Sequence, residues 1–85
     1  MSSRQLKIRW ALLRTLSLLP DGIMHTDEML KIEAARLVIP RPTDAELREQ
    51  TGAADAALQI TGIVGDDGLK WKLADAGRAW LAEHP

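Results

Sequence analysis

Leu6, Trp10, Leu13 and Leu16 recur every three or four residues near the start of the chain, and Leu12 and Leu19 widen the same stripe. That period puts one apolar face on a first helix. Ser2-Ser3-Arg4-Gln5 stands ahead of it as a capping box, in which Ser2 and Gln5 satisfy each other's end of the first turn. Pro20-Asp21-Gly22 ends the helix and turns the chain. Ile23-Met24 reads as a short strand bridge. Thr26 or Asp27 then caps a second helix that carries Met29, Leu30, Glu33, Ala34 and Leu37. The prolines at 40 and 42 forbid its continuation.

Thr43-Asp44-Ala45-Glu46 is a second capping box. It opens a third helix with Leu47, Thr51, Ala54 and Leu58 on the inward side. Gly52 costs that helix about 1 kcal/mol against alanine, which makes it a point for a break or bend. From Leu58 the period falls to two. Ile60, Gly62 and Val64 alternate with Thr61 and Ile63, and Leu69, Trp71 and Leu73 alternate with Lys70 and Lys72. A hairpin turning at Asp66-Asp67 sets Val64 against Leu69, Gly62 against Trp71 and Ile60 against Leu73. Gly62 leaves room there for the indole. The other face pairs Ile63 with Lys70 and Thr61 with Lys72. Ala76, Ala79, Trp80 and Leu81 then mark a short closing helix. Residues 1–85 therefore read as a single domain of mainly α structure with a small β-hairpin (α+β).

Composition narrows the chemistry. The 85 residues suit one modest core, and a 46% apolar content suits a folded chain. There is no cysteine, which removes disulfides and thiolate metal sites and fits a reducing cytoplasm. Arg9 and Arg14 interrupt the apolar start, so it reads neither as a signal peptide nor as a membrane span. A cytoplasmic location is the expectation. The formal net charge is −1, but residues 1–20 hold Arg4, Lys7, Arg9 and Arg14 and no acid. The stretch from Thr43 to Ala57 holds Asp44, Glu46, Glu49 and Asp55 against Arg48 alone.

The order helix, short strand, helix, helix, strand, strand, helix ends on LKWKLADAGRAWLAEH. That ending resembles the close of many winged helix-turn-helix domains of bacteria and their phages. Trp71, Leu73 and Gly77 match the aromatic, leucine and glycine of that pattern. Ala74 departs from it where the family places a threonine cap, and Asp75 takes over by capping or by favouring the positive helix end. The resemblance covers the element order of nearly the whole chain. It implies a small transcriptional regulator that binds double-stranded DNA, with the third helix in the major groove and the wing on the backbone. It implies no cofactor and no catalysis.

On that reading Arg41, Arg48, Gln50, Lys70 and Lys72 are the candidate DNA ligands, and Arg4, Lys7 and Arg14 lie off the first helix's apolar stripe where they would add phosphate contacts. The outward face of the third helix works against it. Ala45, Arg48, Glu49, Gly52, Ala53 and Ala56 make a small-residue surface poor in readers, and Glu49 and Asp55 repel phosphate. A protein-interaction module that does not bind DNA is the alternative. Trp80 and Leu81 are candidates for self-association, against packing of Trp80 onto the first helix. The Gly65-Asp66-Asp67-Gly68 turn has the form of a metal-binding carboxylate pair, yet no further carboxylates converge on it in sequence, so a polar hairpin tip is the expectation. His25 and His84 stand near no nucleophile or metal-ligand spacing, and no metal site is expected.

Overall fold

The computed structural model describes residues 1–85. Both capping boxes close. Ser2 Oγ accepts from the Gln5 backbone N–H at 3.1 Å, and Gln5 Oε1 accepts from the Ser2 N–H at 2.8 Å. Helix α1 then runs Ser3–Ser17. Thr26 Oγ1 accepts from the Met29 N–H at 3.2 Å and starts α2, Asp27–Ala35. Thr43 and Glu46 make the second reciprocal pair, at 3.1 and 3.0 Å, and start α3, Asp44–Ala56. These caps satisfy donors that a helix start otherwise leaves to solvent.

Three strands form one antiparallel sheet in the order β1-β3-β2, where β1 is His25–Thr26, β2 Ile60–Gly65 and β3 Gly68–Leu73. The hairpin keeps the register its alternation predicts, from Ile60 against Leu73 to Val64 against Leu69. A Cβ on Gly62 would lie 2.7 Å from the Trp71 ring, so glycine is what admits the indole. Helix α4, Asp75–Glu83, closes the chain. The result is a small α+β fold of four helices and three strands. No helix is long and apolar enough to cross a membrane.

Helix α1 lies at the centre of the packing. Its Ile8, Leu12, Leu13 and Leu16 belong to one core cluster with Leu30 and Ala34 of α2, Leu47 and Ala54 of α3, and Ile60, Trp71 and Leu73 of the hairpin. Ile8, Leu12, Leu13 and Leu30 are the largest fully buried side chains. Each contributes about 1.5–3 kcal/mol by burial. Thr15 and Thr51 are buried too, and each hydroxyl donates to a carbonyl four residues back at 2.7 Å. Leu6 and Trp10, expected on the inward stripe, are only half-buried at its edge.

Several expectations are corrected. The strand bridge falls on His25–Thr26, not Ile23-Met24, because His25 pairs with Trp71 and Thr26 with Lys70. Ile23 is exposed. Met29 and Leu37 are about two-fifths exposed, since α2 turns Leu30, Ala34 and Ala35 inward and ends before Leu37. Helix α3 runs unbroken through Gly52 and stops at Ala56. Leu58, expected inward, is 74% exposed and sits at φ +60 just past the helix end. The chain leaves α3 through the left-handed turn that usually takes glycine. Ala74 is the N-cap of α4 with no side-chain bond. Asp75 therefore does not cap, and its carboxylate lies in the first turn, where a negative charge suits the helix end.

Candidate functional site

The outward face of α3 carries Asp44, Ala45, Arg48, Glu49, Gly52, Asp55 and Ala56, all exposed. Arg48 is one turn from Asp44, and its Nη2 lies 2.7 Å from the Asp44 carboxylate. The helix thus presents three carboxylates and one arginine that is already bridged. Gln50, expected at the flank within reach of base edges, is buried instead. Residues 47, 50, 51 and 54 share one helical stripe, and that stripe faces α1.

Gln50 belongs to a polar cluster that sequence reasoning missed. Arg9 of α1 is only 6% exposed. Its Nε donates to Gln50 Oε1 and its Nη1 to Gln59 Oε1, each at 3.0 Å. Both partners are neutral amides, and burial lowers its pKa. The cluster joins α1, α3 and the start of the hairpin. A signal was present: Arg9 stands at helical spacing from Leu12, Leu13 and Leu16, so it shares their buried face.

Other cations are also engaged. Arg4 makes a two-pronged contact with Glu46, Nε to Oε2 at 2.7 Å and Nη2 to Oε1 at 3.1 Å, and Nη1 donates to the Pro40 carbonyl at 3.0 Å. The hydrogen bond from Arg4, with that from the Thr43 backbone, holds the Glu46 carboxyl at about 2. Arg4 therefore ties the loop before α3 to α1. It is not a free phosphate ligand. Lys7 Nζ lies over the Trp10 ring, 4.1 Å from its centroid. Arg78 contacts Asp75 at 3.0 Å and Asp21 at 3.2 Å.

The two hairpin lysines differ from each other. Lys70 Nζ lies 2.8 Å from the Asp67 carboxylate, and the Lys70 hydrogen bond lowers the Asp67 pKa. The acidic tip thus neutralises one of the two lysines on that face. Lys72 is half-buried and forms no ion pair, although a shallow hollow on the outer sheet face sets it near Asp21, Asp75 and Arg78. Arg41 is exposed and unpaired. It lines a groove of about 390 Å³ between α2 and α3, together with Ile32, Lys31, Asp44 and Leu47. No three His, Asp or Glu side chains gather as metal ligands anywhere.

The last two candidates lie on α4. Trp80 and Leu81 are half-buried against the core, with Trp80 beside Trp10 and Leu6 of α1. His84 stacks on Trp80 at 3.9 Å between ring centroids. His25 Nε2 lies 2.7 Å from Glu33. Trp71 Nε1 donates to Asp27 Oδ1 at 2.9 Å, and Lys31 bridges the other carboxylate oxygen at 2.8 Å. Burial opposes the Asp27 charge, but these partners outweigh it and lower its pKa. Comparison of the chain with protein-family models, with curated proteins and with solved structures finds no match.

Proposed function

We propose that this chain is a winged helix-turn-helix module that docks on another protein through the outward face of α3, and that it is not an enzyme. One observation carries the reading. A helix that reads a major groove needs long cationic or amide side chains on its outer face. Here that face holds Asp44, Glu49 and Asp55, its arginine is bridged to Asp44, and its glutamine is turned inward. Phosphate oxygens approaching it meet uncompensated negative charge. The small residues Ala45, Gly52 and Ala56 leave a low surface between the acids, which suits a basic helix or loop of a partner protein.

A second reading keeps the DNA-binding role that the family resemblance implies, for a small bacterial or phage transcriptional regulator in the cytoplasm. Arg14, Arg36, Arg41 and Lys72, which form no ion pair, favour it, and the three arginines are exposed. Random-sequence duplex DNA titrated at low and moderate salt separates the two. Docking predicts backbone amide shifts on neither α3 nor the hairpin at low salt. Salt-sensitive shifts on both, weakened by Lys70→Glu with Lys72→Glu, would establish the DNA reading instead. A partner protein recovered with the chain should protect residues 45–56 from exchange and be released by Glu49→Lys with Asp55→Lys.

A further inference from the structure

The longest stretch of the chain without a charge runs from Ala56 to Gly65. It contains the whole of β2. Five of the six β2 residues are exposed, although Trp71 and Leu73 of the neighbouring β3 are buried in the core. Leu58 at 74%, Val64 at 79% and Ile63 at 57% are among the most exposed large apolar residues of the molecule, and all lie in this stretch. On one side β2 pairs with β3 along its full length; on the other it pairs with nothing. In an antiparallel strand every second residue aims its N–H and C=O away from the neighbour it already has. That edge is therefore a row of free donors and acceptors.

Monomeric proteins blunt such edges with lysine, proline, a bulge or a very short strand. The other edge of this sheet is short, the two residues of β1. Strand β2 has none of these devices: Ile-Thr-Gly-Ile-Val-Gly carries no charge and no proline, and its register is continuous.

We infer that the β2 edge is a self-association site at which two copies of this chain pair β2 with β2, antiparallel, and join their sheets into one of six strands. A second copy fits by charge and by symmetry. Each copy brings a neutral strand, so nothing on the edge opposes the approach. A twofold axis near Gly62 and Ile63 keeps the same face of each sheet on the same side, as a self-complementary contact requires. It brings Ile63 near its equivalent and covers Val64 of each copy. It also sends the acidic tips, Asp66 and Asp67, to opposite ends. At about 3.3 Å per residue the two tips lie about 25 Å apart, well beyond a screening length of about 8 Å in physiological salt. A parallel arrangement would stack the four carboxylates together. A six-residue edge buries less than the about 800 Å² per partner of a standard interface, which puts it in the class of small, transient contacts and calls for a test that reaches high protein concentration. The inference does not rest on what α3 binds.

Sedimentation equilibrium of the full chain from micromolar to millimolar protein tests it, with amide exchange on the same samples. The expected result is a concentration-dependent dimer with new protection confined to β2. Ile63→Lys, at an exposed site that leaves folding intact, sets like charges near the axis and should weaken the dimer at least tenfold; Val64→Lys should act in the same direction. A chain that stays monomeric at millimolar concentration overturns the inference. So does a dimer that ignores both variants, or one whose protection falls on α4 around Trp80.

Discussion

Two glycine-to-alanine changes should move stability in opposite directions. Gly77 lies in the first turns of α4 and is buried. A Cβ there would stand 2.3 Å from the Gln59 carbonyl oxygen and 2.6 Å from Leu73 Cδ1. The leucine methyl can rotate aside. The carbonyl cannot, because Gln59 O also accepts from the Ala74 N–H at 3.0 Å. Restoring ordinary contact means moving α4 by roughly 1 Å, from 2.3 Å to about 3.4 Å. Overpacking of this kind costs up to about 3 kcal/mol. Alanine returns about 1 kcal/mol of helix propensity. Gly77→Ala should therefore destabilise by about 2 kcal/mol, and at about 4–8 °C per kcal/mol its melting temperature should fall by roughly 10 °C. Gly52 supplies the control. It lies inside α3, exposed, with nothing within 4 Å of a built Cβ. Gly52→Ala should stabilise by about 1 kcal/mol. Urea unfolding of the two variants beside the parent measures both. If Gly77→Ala unfolds at or above the parent midpoint, α4 does not rest on the Gln59 backbone as described.

Leu58→Gly should raise stability by about 0.5–1 kcal/mol, because a leucine at φ +60 bears a strain that glycine lacks; an unchanged or lower urea midpoint would argue against that strain. Arg9→Met should be severely destabilising, since two buried amide oxygens lose their donor at about 1–3 kcal/mol each, and adding Gln50→Leu with Gln59→Leu should recover much of the loss. A single variant as stable as the parent would mean the cluster contributes nothing. The carboxyls of Glu46 and Asp27 are both held below their ordinary values of 4.5 and 3.8. A lowered folded value gives stability that is present above the ordinary value and is lost as pH falls through the folded one. For Glu46 that window runs from 4.5 down to about 2. Stability measured against pH should fall across it, and Glu46→Gln should flatten the fall; an equal slope in parent and variant would refute the Arg4–Glu46 assignment.

Where the governing physics is local, the sequence was enough. The caps at Ser2 and Thr43 each need residues three apart, and both formed. The hairpin register follows from a period of two and a short turn, and every pair fell where alternation put it. Gly62 was legible as the space for Trp71 because the two are cross-strand neighbours. The ends of elements were less so. Leu58 carries the apolar pattern of α3 forward, and nothing in its own type says that the chain turns left-handed at this residue.

The availability of charge was the least legible part. Lys70, Arg48 and Arg4 look alike as cations in sequence. Lys70 and Arg48 are neutralised by acids three and four residues away, a pairing that spacing permits but does not require. Arg4 meets Glu46 across 42 residues, Arg9 meets Gln50 across 41 and Gln59 across 50, and Trp71 meets Asp27 across 44. Residues along the chain set the helices, their caps and the strand pairing, because those depend on neighbours a few positions away. Whether α3 offers a reading glutamine or an acidic face depends on how α1 packs across it, and that packing is a sum of contacts between segments remote in sequence.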